Sequence, residues 1–520
     1  MNFPRLFATV RYLKPEQIFY RCFYVTRKKL YPAIFKHFDE TKCKTAPDGL
    51  KLQKSIDFPD SYLGGNKFVF LNIEHDFGEK INWNHPDYGK LWTYNLNYFE
   101  FLNQKNIPKE AGIALINNFT GSLQELSDGM EPYPTSLRTV NWIKFFVKNG
   151  ITDKKLHAFL YFQYQCLLKD LEYHLLGNHL LENAFSLLFG AYFFQDENFY
   201  KTAKELLTKE LDEQILPDGA DFELSTMYHQ IILFRVLDSI NLVKNNPWKN
   251  GEMLDFLTKK AEIMLGWLKQ MTFSDGTIPL FNDSAEGIAP ASQELFDYAG
   301  SLKIKTVEKP LKESGYRKFT GKNYEIFVDA GKIGPDYIPG HAHADMLNFE
   351  LHLYGAPCVV DTGTTTYQRC PRRSLERSTA AHNSVTVNNQ NQSDVWGGFR
   401  VGKRAEIKIE SENDNQITAS HDGFGKVIHK REFVCEENRI TIRDTLMPSG
   451  KGKARIHFHP SVEFSIENNT LCAGNFTVSF KNIDNIETEK FEYSLGFNKT
   501  AESKCIVVNF TNKTETVFEL

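Results

Sequence analysis

Four short stretches carry polar side chains for which a packed core has little use. Gly177-Asn178-His179-Leu180-Leu181-Glu182-Asn183 stands at a helix start. Asn178 and Glu182 are four apart and share a face, while His179 and Glu182 are three apart and within pairing reach. Asp218-Gly219-Ala220-Asp221-Phe222-Glu223, followed by Tyr228-His229, reads as a turn feeding a helix with acids in its first turn, where the helix dipole favours them. His341-Ala342-His343-Ala344-Asp345 leads into a strand, and in an extended chain alternate residues point to one side, so both imidazoles and the carboxylate can converge. Alternating histidines at a strand edge point to acid-base or metal chemistry. Asp361-Thr362-Gly363 and His382-Asn383-Ser384-Val385 close loops beside strands, and with His343 they offer an N, O, N donor set suited to Zn²⁺. Each stretch also has a plain structural use: a capping Asn, a surface His–Glu pair, a core tyrosine with a bonded hydroxyl, a polar strand edge, a turn-forming Asp.

The elements that must position these residues change character once, near residue 310. Before it a 3.6-residue period dominates: Leu156, Phe159, Leu160, Cys166, Leu167 and Leu171 mark one helix, and Leu180, Ala184, Leu187, Leu188 and Ala191 the next. Ile231 to Ile240 and Met253 to Leu268 mark two more. Gly177 reads as the stop of the first helix and Asn178 as the cap of the second. Helix after helix with short connections predicts an (α/α) toroid, an incomplete barrel, and the lack of a fixed-length repeat disfavours a regular solenoid. Beyond about residue 320 the period is two, as in Tyr324-Ile326-Val328, Phe349-Leu351-Leu353 and Ile440-Ile442, with turns at Glu436-Glu437-Asn438 and Asn468-Asn469. That is the pattern of an antiparallel β-sandwich. Segregated helices and strands exclude an alternating α/β fold. The expected division is a basic helical or extended segment over 1–80, the toroid over 81–310 and the sandwich over 311–520.

Composition bounds the function. The 520 residues carry 61 Lys+Arg against 65 Asp+Glu, a net charge of −4, with 41% apolar and 24% charged residues. Disorder and collagen-like repeats are excluded, and neither charge nor motif points to nucleic acid. The 42 Phe, 22 Tyr and 6 Trp pack cores, but exposed rings also stack on sugar faces. Eight scattered Cys without a C-x-x-C pair predict free, mostly buried thiols. The longest apolar stretch, Ala184 to Phe194, is too short to span a bilayer. Residues 1–36 hold eight bases and one acid, with Arg11, Lys14 and Glu16 interrupting the apolar run, so the segment does not read as a secretory signal. A cytoplasmic protein is expected, or a periplasmic one if a signal has been removed. The basic, aromatic segment either lies on an anionic membrane surface or packs beside an acidic face.

Taken together, the runs G-N-H-L-L-E-N-A, D-G-A-D-F-E-L-S-T-M-Y-H, H-A-H-A-D-M-L-N-F-E-L and H-N-S-V resemble the heparinase II/III family of polysaccharide lyases. So do Pro132 to Trp142 and Leu91 to Phe99, and the matches run in order from residue 91 to about 430. The resemblance implies a toroid followed by a sandwich, and β-elimination on a uronic-acid polysaccharide. By the same resemblance Asn178 and His179 hold or neutralise the uronate carboxylate, Glu182 orients His179, and Tyr228 is the principal acid or base with His341 as partner. Arg138, Asn141 and Trp142 line the sugar groove. His343, Asp361 and His382 form a structural metal site for zinc, with Ca²⁺ as the alternative. Competing expectations are a non-catalytic glycan-binding protein of polysaccharide assembly and a glycoside hydrolase, which needs paired carboxylates such as Glu182, Asp221 and Glu223.

Overall fold

A computed structural model of the chain describes residues 3–30, 38–47, 49–249 and 251–520. Two helices, α1 (Phe3–Val10) and α2 (Pro15–Leu30), come first, followed by a small antiparallel sheet of strands Tyr62–Gly64, Lys67–Phe70 and Ile73–Asp76. Then come α3 (Lys90–Tyr98), α4 (Lys109–Gly121), α5 (Pro132–Asn149), α6 (Lys154–Lys169), α7 (Gly177–Phe194), α8 (Glu197–Gln214), α9 (Thr226–Asn245), α10 (Gly251–Gln270) and α11 (Ser292–Ser301).

Burial sorts these helices into two rings. Seventeen of the 18 residues of α7 and 16 of the 20 of α9 are buried, against seven of 18 in α8 and eight of 20 in α10. A helix that is apolar all round must be surrounded by others, whereas an amphipathic one faces water on one side. Helices α5, α7 and α9 pack on one another as an inner layer, with α8 against α7 and α10 against α9 outside it. This is the expected α toroid.

Strands dominate from Tyr316 onward, interrupted by a short helix, Pro371–Glu376, and a single turn of 3₁₀ helix. A four-stranded antiparallel sheet (Tyr316–Thr320, Tyr324–Asp329, Phe349–Leu353, Ala356–Val359) lies next to the toroid in sequence. An eight-stranded antiparallel sheet runs in the order Ile407–Asn413, Gln416–Phe424, Val427–Glu436, Arg439–Met447, Lys513–Glu519, Phe476–Lys481, Thr470–Ala473, Ser465–Glu467. A third sheet orders Asn485–Ser494, Thr500–Thr511, Lys451–His457 and Val385–Val387. Inward residues of all three, among them Ile326, Leu351, Ile442, Ile456 and Val508, share one apolar core, as sheets packed face to face require.

Three local expectations are corrected. Gly177 does not stop the preceding helix: that helix ends at Lys169, and Gly177 opens α7 with a left-handed φ of 57°. A Cβ there would sit 2.8 Å from Ile338 and 3.1 Å from the Glu223 carboxylate, so the close approach needs glycine. Asp218, Asp221 and Glu223 lie in the turn before α9 rather than in its first turn, and Ser225 caps the helix. The cysteines are all free, but only Cys166, Cys358, Cys435 and Cys505 are buried.

Candidate functional site

Helical residues Tyr94, Asn178, His179 and Tyr228 and residues of the β region, His341, Tyr367, Phe399 and Arg400, line one open cleft of ≈ 1170 Å³. The loop His341–Asp345 enters it from the β side and α9 from the helical side. The rings of Tyr228 and His341 meet with centroids 3.9 Å apart, and the Tyr228 hydroxyl lies 3.3 Å from that of Tyr367. Burial, then Tyr367, Asp283 and Glu223, raises the Tyr228 phenol well above its ordinary value, so it stands protonated.

Asp283, in the loop between α10 and α11, organises the centre. Its Oδ2 accepts from His341 Nδ1 at 2.9 Å and from Arg373 Nη2 at 2.6 Å. Its Oδ1 accepts from His343 Nε2 at 2.8 Å and from the second Arg373 nitrogen. Burial alone would raise this carboxyl, but the Arg373 charge and the two imidazole bonds outweigh it and hold Asp283 well below the usual range. An acceptor-only partner at Nδ1 leaves the lone pair of His341 on Nε2, which faces Glu223 Oε2 at 3.6 Å. Burial also lowers His341, favouring the neutral imidazole. Glu223 in turn takes the backbone N–H of Asn178 at 3.2 Å. Burial and the charge of Asp221 raise it far above the carboxylate range, and Asp221 itself is pushed up to about 7 by burial.

On the opposite lip, the His179 ring packs tilted against Tyr133, with centroids 4.7 Å apart. Its Nδ1 meets Glu172, not Glu182, at 3.1 Å. The α6–α7 turn places Glu172 beside it, and Asn183 holds the same carboxylate. Glu182 instead forms a buried ion pair with Arg235, 3.0 Å. The side-chain amide of Asn178 makes no hydrogen bond among the described residues.

Arg138, Asn141 and Trp142 lie inside the helical core and do not line the cleft. Arg138 donates to Gln163 at 2.6 Å and to the carbonyls of Gly129 and Asn97, with its guanidinium over Phe119. Asn141 bonds Tyr98 and Asn103, and Trp142 packs on Phe99 and Phe119. The part of α5 from Arg138 to Phe146 is buried on every side and offers no face to a groove, whereas Tyr133 and Leu137 of the same helix line the cleft. His229, the neighbour of Tyr228, accepts from the Asp221 N–H and bonds the Met264 carbonyl, a structural role.

Behind His341 the chain turns back into the core. Among the described residues His343, Asp345 and His382 bring donor atoms within 4.8 Å of one another. His343 Nδ1, His382 Nε2 and Asp345 Oδ2 are buried and have no hydrogen-bond partner. Buried polar atoms are nearly always satisfied, so three orphans facing one point fit a cation. Asp361 is not one of them: its Oδ2 takes His382 Nδ1 at 2.7 Å and Asn348 Nδ2 at 2.6 Å, and its Oδ1 the Gly363 N–H. Asp361 thus orients His382 from behind as Asp283 orients His343, the carboxylate–imidazole arrangement that backs metal-binding histidines.

Asp283, Arg373, Tyr367, Phe399 and Glu172 carry no signal in the sequence alone. Nothing in the spacing of Phe281-Asn282-Asp283-Ser284 or Pro371-Arg372-Arg373 sets them apart from ordinary turns; only the fold brings them to the cleft.

Residues 125–301 match the family described as heparinase II/III N-terminus, and residues 304–519 that described as heparinase II/III-like, C-terminal. A heparin-sulfate lyase of Bacteroides stercoris is 23% identical over 312 residues, 54% of this chain and 45% of its own length. One from Pedobacter heparinus is 22% identical over 404 residues, covering 71% and 58%. The chain spans about half the length of the curated relatives it matches. The crystal structure of a heparinase III superposes with a TM-score of 0.67 at 15% identity, over 99% of this chain and 93% of that one. At this identity the likeness is one of fold, an α toroid with a β-sandwich.

Proposed function

Because the chain belongs to the heparinase II/III family, we propose that it is a polysaccharide lyase that cleaves an acidic, glycosaminoglycan-type polysaccharide by β-elimination at a uronate. The observation that carries this reading is the contact of Tyr228 with His341 at the centre of a cleft shared by helices and strands. The C5 proton of a uronate is a very weak acid while the neighbouring carboxylate is charged, so the site must neutralise that carboxylate, supply a base and protonate the leaving oxygen. Asn178 and His179 meet the carboxylate. His341 Nε2, held by Asp283 on the other nitrogen, takes the C5 proton. The C5–H electron pair becomes the C4–C5 double bond, the C4–O bond breaks, and the leaving oxygen receives the Tyr228 proton. Glu172 holds His179, whereas Glu182 braces α7 against α9 through Arg235. A glycosidase reading loses support, since Glu182 is sealed in that ion pair and Asp221 is buried.

The test is a screen of acidic polysaccharides for the ultraviolet absorbance of a new C4–C5 double bond. Cleavage with that absorbance is the expected result. New reducing ends without it, or binding to every accepted glycan without turnover, would overturn the reading.

The same reading gives His343, His382 and Asp345 a divalent cation. Two imidazoles and one carboxylate suit zinc better than calcium, which prefers oxygen ligands throughout. When bound, the ion supplies fixed charge and a cross-link between the 341–345 and 382–385 loops. Metal analysis of the purified chain should find one zinc per molecule. Strong chelation should lower the melting temperature by at least about 2–4 °C, and His382→Ala should abolish both the metal and the chelator response. A metal-free protein that takes up no zinc on titration counts against this site.

A further inference from the structure

Eight of the 18 exposed large apolar residues among those described fall within the first two helices: Phe3, Phe7, Val10, Ile18, Phe19, Phe23, Val25 and Leu30. The rest are scattered singly over the body, which is ordinary for a protein surface. The orientation of these helices is fixed by their other side. On α2 a stripe at Gln17, Tyr20, Tyr24 and Arg27 docks on the toroid. Gln17 donates to the Leu175 carbonyl at 3.0 Å and Tyr20 stacks on Tyr173 at 4.6 Å. The Tyr24 hydroxyl donates to the Leu171 carbonyl, and Arg27 pairs with Asp170. Arg5 of α1 pairs with Asp394, and the Trp396 indole donates to Thr9 at 3.2 Å. With the polar stripe pinned inward, Phe3 and Phe7 on α1 and Phe19 and Phe23 on α2 are left facing solvent, whereas Val10 lines the cleft.

Charge says what covers this face. Of the seven Lys or Arg in residues 3–30, Arg5, Lys14 and Arg27 pair with acids of the body, and Arg11, Arg21, Lys28 and Lys29 stand exposed beside a single acid, Glu16, while the whole chain is net negative at −4. Lys28 and Lys29 stand exposed in the last turn of α2 beside Leu30. Self-association through this face would oppose like charges. A surface rich in anions with an apolar layer beneath satisfies both the cations and the rings, as for helices that lie in a membrane interface. We propose that α1 and α2 form a docking surface for an anionic phospholipid bilayer, with the phenylalanines inserted among the acyl chains and the lysines among the headgroups. The proposal is independent of the lyase reading, since none of these phenylalanines or lysines belongs to the cleft's chemistry.

Flotation of the full chain with phosphatidylcholine vesicles, with and without phosphatidylglycerol, tests it. Binding is expected with phosphatidylglycerol, weakening as salt is raised, and little without it. Lys28→Glu/Lys29→Glu and Phe19→Ser/Phe23→Ser should each weaken binding about 10-fold or more, with unchanged thermal melting because all four side chains are exposed. Ile466→Ser, an exposed apolar residue on the sandwich, should bind as the parent does. No flotation with anionic vesicles, equal flotation with neutral ones, or an equal loss with Ile466→Ser overturns the proposal. So does a dimer in light scattering that Phe19→Ser/Phe23→Ser dissolves while vesicles leave the parent chain unbound.

Discussion

Tyr228→Phe is expected to lower turnover on an accepted substrate by ~10²–10⁴-fold, the usual effect of losing a general acid or base. The substitution keeps the ring against His341 and removes only the hydroxyl facing Tyr367. The melting temperature and the KM should therefore change little. The proton is the point: burial leaves Tyr228 neutral in the free protein, ready to give a proton and not to take one. His341→Ala should lose activity in the same range, because it removes the base that Asp283 orients. His229→Ala is the control: its ring is tied to Asp221 and Met264, so its loss should be felt in stability and not in the chemical step. Initial rates from the double-bond absorbance decide the matter, and near-parental turnover by Tyr228→Phe would falsify the assignment.

Asp283→Ala should have the largest combined effect on folding and activity. It strips the partner from the buried Arg373 guanidinium and frees both His341 and His343. Breaking a buried pair from one side typically costs about 3–5 kcal/mol, because the remaining charge is left without compensation. Urea denaturation should show a loss of that order, and turnover should fall at least ~10²-fold as His341 loses its orientation. The double variant Asp283→Ala/Arg373→Met discriminates between charge and shape. With both charges gone, stability should recover in part while activity stays lost. A single variant as stable as the parent would show that Asp283 does not hold the centre together.

Much of this arrangement is legible in the sequence. Helical and strand periods are local properties, so the change of period near residue 310 marks the passage from toroid to sandwich, and the four helices read from apolar spacing appear as α6, α7, α9 and α10. Alternation in His341-Ala342-His343-Ala344-Asp345 is equally local, but Asp345 joins His343 and His382 and not His341, and the carboxylate that both imidazoles reach is a different one. That carboxylate, Asp283, comes from a loop some sixty residues earlier, and no spacing rule spans such a distance. Arg138 shows the converse failure. A charged residue on a helix reads as outward-facing, yet carbonyls and Gln163 satisfy it in the core, and this compensation is invisible until the helices pack. Asp361 and Asp345 differ only in which oxygens their neighbours occupy, a distinction made by Asn348 and Gly363 and not by residue type.

The placement of Lys513–Glu519 bears on how the chain acquires its structure. This strand fills the slot between Arg439–Met447 and Phe476–Lys481, pairing Arg439 with Glu519 on one side and Thr477 with Glu519 on the other. The toroid forms largely from neighbouring helices, contacts of low sequence separation that assemble early, whereas this sheet closes only through long-range pairing, which is slow. Until Lys513–Glu519 arrives, two central strands present open backbone edges and the apolar side chains of Ile440, Ile442 and Val478. During synthesis that interval is when the chain is most exposed to intermolecular strand pairing, so a shortened sandwich would be lost to aggregation before any defect in the cleft was felt.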